Sequence, residues 1–284
     1  MTKKIAVIND LSGFGRCSLT AAISVLSAMG VQACPLPTAI LTAQTEYPSY
    51  YCDDYTDKME YFRSEWEKMG QHFDGIYTGY VASVAQINQI FRFIDTFDTP
   101  DTFLLVDPVM GDDGQTYSMY TPSLLKQMQL LVQRADIITP NLTELCLLTD
   151  ANYQNITHMK DSDELFSTIQ ELGQQLCKTG PQNIIVTGIH FQKDDNTKAI
   201  GNLYITAKDS FLVSFPYIGG SYSGTGDLFA SCIAGGVARG DSIADAIQLA
   251  GEFLELALAD SVKEQVPCND GVNYEQFLCH LGTG

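Results

Sequence analysis

What most restricts this chain is an alternation, kept from end to end, of short apolar β-branched runs with longer segments of helical spacing. The runs are KIAVI from Lys4, VQACPLPTAIL from Val31, GIYTGYV from Gly75 and TFLLVDPV from Thr102. They continue with ADIITPN from Ala135, NIIVTGI from Asn183, NLYITA from Asn202 and FLVSFPYI from Phe211. Several are almost continuously apolar, as a strand buried on both faces of a parallel sheet requires. Between them, Ser18 is placed to cap a helix carrying Leu19, Ile23, Leu26 and Met29, with Gly30 as its stop. Residues 161–179 read as a surface helix. Asp241 or Ser242 caps a third, with Ile243, Ala246, Ile247, Ala250 and Phe253 at spacings of three and four. Repeated β-then-α units predict an α/β fold: a mostly parallel central sheet with right-handed crossovers and helices on both faces. No linker or internal repeat interrupts the pattern, so residues 1–284 are expected to form one domain. The stretch from Tyr47 to Tyr61 resembles neither element and suits a substrate-side loop, a small lid or a solvated connection.

Composition narrows the function. A 45% hydrophobic content supports a full core, and 34 acidic against 16 basic residues leave a formal charge of −18. Such a surface repels phosphate backbones and anionic lipid, which excludes nucleic-acid and membrane-surface partners. Any anionic ligand must be held by backbone N–H groups, a metal ion or one of the few Lys and Arg side chains. The opening MTKKIAVIND lacks the apolar core and cleavage site of a signal peptide, and no stretch approaches the ~18–20 apolar residues of a membrane span. Eight cysteines are scattered without a C-x-x-C pair, as expected of thiols in a reducing cytoplasm. The four isolated histidines argue against a histidine zinc site.

In open parallel sheets, ligands bind beyond the carboxyl ends of the strands. Four places there carry unusual residues. Gly224-Thr225-Gly226-Asp227 precedes the apolar helical run Leu228, Phe229, Ile233 and Val237. Glycines before a helix let the backbone approach a ligand, and first-turn N–H groups with the positive helix end cradle a phosphate or a transferring phosphoryl group. The same dipole and N–H groups favour an ionised Asp227, able to take a proton from a hydroxyl; an ordinary cap after a glycine turn is the alternative. Asp107, leaving a buried strand, with Asp112, Asp113 and Gly114 beyond it, suits a hydrated Mg²⁺ or, for the latter three, a plain turn. In Thr139-Pro140-Asn141-Leu142-Thr143-Glu144, Asn141 and Glu144 suit a capping box, or Glu144 stands near a metal. Asn9-Asp10-Leu11-Ser12-Gly13-Phe14-Gly15 lacks the third glycine and the later acid of a dinucleotide site. Neither a G-x-x-x-x-G-K-[ST] P-loop nor a G-x-S-x-G elbow occurs, and His190 is either a base or a structural residue. An anion cradle with a carboxylate, strand-end acids for Mg²⁺ and no P-loop lysine together describe a small-molecule kinase of a non-Walker type.

With these motifs in place, the chain resembles the pyridoxal/pyridoxamine (vitamin B6) kinases of the ribokinase superfamily over nearly its whole length. The superfamily shares the GTGD box at Gly224. Thr45-Glu46-Tyr47, Gly79-Tyr80, DPVMG from Asp107 and TPNLTE from Thr139 narrow the likeness to B6 kinases. The resemblance implies MgATP phosphorylating the 5′-hydroxyl of pyridoxal, pyridoxamine or pyridoxine. It implies Asp227 as general base and the N–H groups of Gly224, Thr225 and Gly226 as anion hole. Asp107 and Glu144 would organise Mg²⁺, with Thr139, Asn141 and Thr187 near the ATP phosphates and Phe215, Pro216, Tyr217 and Ile218 lining the nucleotide site. Asp10, Thr45 and Tyr80 match positions holding the pyridine. Asp10 stands where many members have Ser, with Ser12 two residues on, and Thr187 replaces a lysine of some relatives. Residues 112–120 match a flap over ATP. A monovalent cation such as K⁺, a cytoplasmic setting and a homodimer are further implications. The related hydroxymethylpyrimidine kinases are the alternative, and a non-catalytic metabolite-binding relative is a third.

Overall fold

The computed structural model describes residues 2–118 and 120–282. The chain begins with β1 (Lys4–Ser12), α1 (Ser18–Ala28), β2 (Gln32–Leu41), β3 (Cys52–Asp54), α2 (Thr56–Lys68), β4 (Gly75–Thr78), α3 (Val84–Phe97) and β5 (Phe103–Val106). It continues through β6 (Gly111–Asp112), β7 (Gln115–Thr116), α4 (Pro122–Val132), β8 (Ile137–Ile138), α5 (Leu142–Thr149), α6 (Tyr153–Thr157) and α7 (Ser162–Cys177). There follow β9 (Asn183–Gln192), β10 (Lys198–Ile205), β11 (Ser210–Pro216), α8 (Thr225–Arg239) and α9 (Ile243–Lys263), then 3-10 turns at Cys268–Asp270 and Glu275–Leu281. Among the described residues, nine strands are hydrogen-bonded in the order β11-β10-β9-β8-β5-β4-β1-β2-β3, and β6 with β7 makes a separate hairpin. β1 runs parallel to β2 and β4, and β8 to β5 and β9, so the expected mostly parallel α/β sheet is the one observed. The pairs β2–β3, β9–β10 and β10–β11 are antiparallel.

The chain divides into two compact units, Met1–Phe103 with Ile218–Gly284, and Leu104–Tyr217. In the first, Ile5, Ala6, Val7 and Ile8 of β1 are fully buried, which is why that strand shows no polar alternation. Burying each large side chain of this kind contributes about 1.5–3 kcal/mol. Trp66, Phe73, Phe93 and Phe97 form an aromatic cluster under α2 and α3. In the second unit, Leu105, Val106, Ile138, Ile184, Ile185, Val186 and Ile205 are fully buried strand residues. No helix among the described residues is long and apolar enough to cross a membrane.

Two local expectations change, and one strand needs an explanation. Ser18 is the first residue of α1 rather than its cap; Cys17 occupies the cap without a side-chain bond, and Ser18 takes a left-handed φ of 50°. The Ser18 N–H and hydroxyl donate to Asp227 and Asp10, so its side chain is turned to these carboxylates. The stretch from Tyr47 to Tyr61 contains β3 and the start of α2. That helix was harder to see because more than half of its residues are charged and only Met59 is fully buried. Finally, β2 accommodates Pro35 and Pro37 because β3 pairs with it only over Ala39–Leu41. Gln32 N–H donates inward to Lys3 O, so by alternation both proline nitrogens face the outer side, where no ladder bond is lost.

Candidate active site

Every strand-end motif singled out above lies where a strand or its following turn ends. In the first unit, α8 begins with Gly224 at its cap (φ 82°) and Thr225, Gly226 and Asp227 as its first three residues. A Cβ on Gly224 would stand 2.1 Å from Arg16 O, so the chain crossing there requires glycine twice over, for space and for φ. A Cβ on Gly226 would meet nothing within 4 Å, which leaves the first turn open to a ligand. The first-turn N–H groups have no intrahelical acceptor and point outward with the positive helix end.

Asp227 is held from beneath. Asn9, fully buried in β1, donates from Nδ2 to Asp227 Oδ1 at 3.1 Å. The Asn9 Oδ1 accepts the N–H groups of Asp10 (2.9 Å) and Tyr80 (2.8 Å). One amide therefore fixes Asp227, Asp10 and the segment after β4 together. A Cβ on Gly79 would lie 2.3 Å from Asn9 Nδ2, which explains the Gly79-Tyr80 pair. Although Asp227 as a residue is half-buried, its carboxyl is enclosed, and that desolvation pushes it up to about 6. The Ser18 N–H opposes the rise, the Asp10 charge adds to it, and the Asn9 amide opposes it. Burial thus outweighs the N–H groups that favour the ionised form, and the carboxyl lies above the usual carboxylate range. Asp10 is buried, accepts from Ser12 Oγ at 2.9 Å, and is likewise raised by burial, against the Ser18 and Ser12 hydroxyls. Tyr80 feels the Asp10 charge, so the two are neighbours. Thr45 is exposed and makes no hydrogen bond to these residues among the described contacts.

The second unit gathers another group. Asp107 follows β5, and its Oδ1 accepts from Thr139 Oγ1 at 2.9 Å. Asn141 and Glu144 form the capping box of α5: Asn141 Oδ1 accepts Glu144 N–H at 2.9 Å and Glu144 Oε2 accepts Asn141 N–H at 2.8 Å. Glu144 Oε1 also accepts Met110 N–H at 3.0 Å, so it braces the DPVMG segment as well. Burial, and next the Asp107 charge, hold Glu144 well above the usual carboxylate range. Asn141 Nδ2 donates to Gly111 O at 2.8 Å, and Thr187 N–H donates to Pro140 O at 2.9 Å, which brings Thr187 beside Asn141. Asp113 (φ 48°) and Gly114 (φ 76°) make the tight turn of the β6–β7 hairpin. Met119, within the expected flap, lies outside the described residues. Phe215 and Pro216 are held against Ile200 and Ala199 of β10, and the Tyr217 ring meets His190 edge-on at 4.9 Å. Ile218 follows as the first residue of the other unit's second segment.

The family described as phosphomethylpyrimidine kinase matches residues 15–271. The chain belongs to that family. It is 30% identical over 190 residues to a hydroxymethylpyrimidine/phosphomethylpyrimidine kinase of Bacillus subtilis, covering 66% of this chain and 65% of that protein. A provisionally assigned phosphomethylpyrimidine kinase of Bacteroides thetaiotaomicron, crystallised with pyridoxal, superposes with a TM-score of 0.85 at 36% identity, over 99% of this chain and 95% of that one. Pyridoxal kinase of Lactobacillus plantarum gives a TM-score of 0.86 at 31% identity, over 99% and 97%. The fold is ribokinase-like, and the family is one of phosphotransferases acting on B6-type or hydroxymethylpyrimidine-type alcohols. Within this family member, Asn9 is the site residue that sequence reasoning passed over. It stands beside Asp10 in the segment from Asn9 to Gly15, but a lone Asn inside a buried strand carries no periodic signal.

Proposed function

We propose that the protein transfers the γ-phosphoryl group of ATP to the 5′-hydroxyl of pyridoxal, pyridoxamine or pyridoxine. The observation that carries this is the single buried amide of Asn9, which ties Asp227 at the helix start to Asp10 and the Tyr80 segment. A proton acceptor and a ring-holding segment are thereby built as one piece, as an enzyme needs when a hydroxymethyl group hangs from the ring it grips. Asp227 accepts the hydroxyl proton as the oxygen attacks the γ-phosphorus. The N–H groups of Gly224, Thr225 and Gly226 take up charge on the phosphoryl oxygens. Asp10 and Ser12, with Thr45 and Tyr80, hold the ring, and Thr139, Asn141 and Thr187, with Phe215, Pro216, Tyr217 and Ile218, hold the nucleotide. The family match over residues 15–271 supports treating residues 1–284 as one kinase domain; a cytoplasmic setting and a homodimer are further parts of the proposal.

Asp107 and Glu144 fit Mg²⁺. Among the described residues no group of three or more His, Cys, Asp and Glu side chains gathers to hold a metal. Two neighbouring buried carboxylates, one raised by the charge of the other, nevertheless suit a hard dication that also takes water and phosphate oxygens. Both Glu144 oxygens already accept backbone N–H groups, so Glu144 suits a water-mediated place and Asp107 a nearer one. When bound, Mg²⁺ neutralises phosphate charge and orients the ATP tail. We expect Glu144→Gln to raise the Mg²⁺ concentration for half-maximal rate by roughly tenfold and to lower the melting temperature, because the amide can accept only one of the two backbone N–H bonds that Glu144 takes from Met110 and Asn141. Identical Mg²⁺ titrations for the two proteins would leave Glu144 a cap alone.

The deciding experiment is ADP release from MgATP with pyridoxal, pyridoxamine, pyridoxine and hydroxymethylpyrimidine offered separately. Turnover preferring the B6 vitamers supports the proposal. Turnover confined to hydroxymethylpyrimidine establishes the second reading, which the Bacillus subtilis relative favours. Turnover with none of the four overturns both and favours a binding protein.

A further inference from the structure

Of the Thr45-Glu46-Tyr47 segment, only Thr45 has a place in the proposed reaction. The remainder is anchored on the 3-10 turn Cys268–Asp270. Tyr47 Oη donates to Asp270 Oδ1, and the Tyr47 ring packs edge-on against Phe14 at 5.5 Å. Asn269 Nδ2 donates to Glu46 O at 2.9 Å, and Gln44 Nε2 donates to Asn269 O at 3.0 Å. The same turn reaches two other segments. Arg16 N–H donates to Asp270 O at 3.2 Å, and Ser223 N–H donates to Cys268 O at 3.1 Å. Gln44 also donates to Ser223 Oγ at 3.3 Å. Three segments thus converge on one turn far away in sequence: the loop after β1, the loop after β2 that contains Thr45, and the approach to the α8 cradle. All of them lie in one compact unit.

We infer that the Cys268–Asp270 turn is a positioning element that sets the acceptor loop, residues 44–47, and that Tyr47 and Asp270 are positioning residues for acceptor affinity. Thr45 itself is exposed and hydrogen-bonded to none of the other acceptor residues among the described contacts. Its location therefore depends on what holds its neighbours. Gln44 before it and Glu46 and Tyr47 after it all bond to the turn. The phenol-to-carboxylate bond is the charge-assisted contact among these and the one a single-atom change can delete. Partial desolvation, then the Asp270 carboxylate, push the Tyr47 hydroxyl up to about 12, so it remains a donor over the working pH range.

The inference rests on the kinase activity proposed above, so its test uses the same assay on the full chain. Tyr47→Phe deletes only the hydroxyl and keeps the ring against Phe14; Asp270→Asn removes the charge in place. Each is expected to raise the acceptor KM roughly tenfold, with kcat and the ATP KM changed by less than about twofold. The double variant is expected to be no worse than the worse single one, because both remove one contact. Melting temperatures are expected to stay within about 4 °C of the parent. An unchanged acceptor KM in both single variants overturns the inference. So does a parallel loss of kcat, ATP affinity and melting temperature, which would mark the contact as merely structural. If the parent protein itself turns over no acceptor, the kinase proposal fails and this inference fails with it. An active parent with unaffected variants sinks the inference alone.

Discussion

Asp227→Asn is expected to fold as the parent does and to lose turnover by roughly 10²–10⁴-fold, the range that general-base help supplies. Asn keeps the shape and can still meet the Asn9 amide and the Ser18 N–H, so the site's scaffold survives while its proton acceptor does not. The pH profile separates this from a charge effect at a distance. With the Asp227 carboxyl at about 6, kcat/KM should rise with pH through that value, well above the usual carboxylate range. Stability carries the opposite sign. Between about 4, where the unfolded chain ionises, and about 6, the folded state binds more protons, so the parent loses stability as pH rises. Asn has no proton to retain, so the variant should lack that decline and gain on the parent above the window. Unchanged turnover in Asp227→Asn would remove it from the base role, and an equal decline in both melting profiles would assign the proton to another group.

The second large effect is a contrast between neighbouring glycines. Gly224→Ala places a methyl group 2.1 Å from Arg16 O on a backbone at φ 82°. The conformation alone costs about 1–2 kcal/mol, and relief of the clash must move either Arg16 or the helix start. A melting temperature several degrees lower is expected, at about 2–4 °C per kcal/mol for a chain of this size. Turnover should fall by ~10²-fold or more, because displacing the first-turn N–H groups by about 1 Å misaligns the cradle. Gly226→Ala meets open space and a helical φ, so it should melt with the parent while its methyl group intrudes on the phosphoryl position and lowers turnover. Thermal scans and initial rates on the pair read both effects. Equal rates for Gly226→Ala and the parent would show that the phosphoryl group does not sit over that turn.

The strands were easy to locate because burial on both faces makes them apolar throughout, as in Ile5 to Ile8 and Ile184 to Val186. α2 was harder to see for the converse reason: more than half of its residues are charged, as in the surface pairs of Arg63 with Glu60 and Glu67, and of its apolar side chains Met59, Phe62 and Trp66 only Met59 is fully buried. The GTGD segment could be placed at a helix start from glycine and dipole arguments. The sign of the Asp227 shift could not, since burial depends on what the fold stacks over it. Asn9 and the Cys268–Asp270 turn lay beyond any local signal. Asn9 meets Asp227 across 218 positions and Tyr47 meets Asp270 across 223, so only the folded chain makes them partners.

Pro35 and Pro37 also have a consequence for behaviour in concentrated solution. A strand margin normally offers alternating donors and acceptors, and a passing chain can extend the sheet by zipping onto them. At two successive outward positions of β2 this margin has acceptors but no donors, and at its far end β3 pairs with it over Ala39–Leu41. Sheet-to-sheet stacking of molecules along that border is therefore interrupted by the covalent structure of the backbone, whatever the salt or pH. Resistance to fibrous growth there is a property of two imino acids and does not draw on the protein's charge.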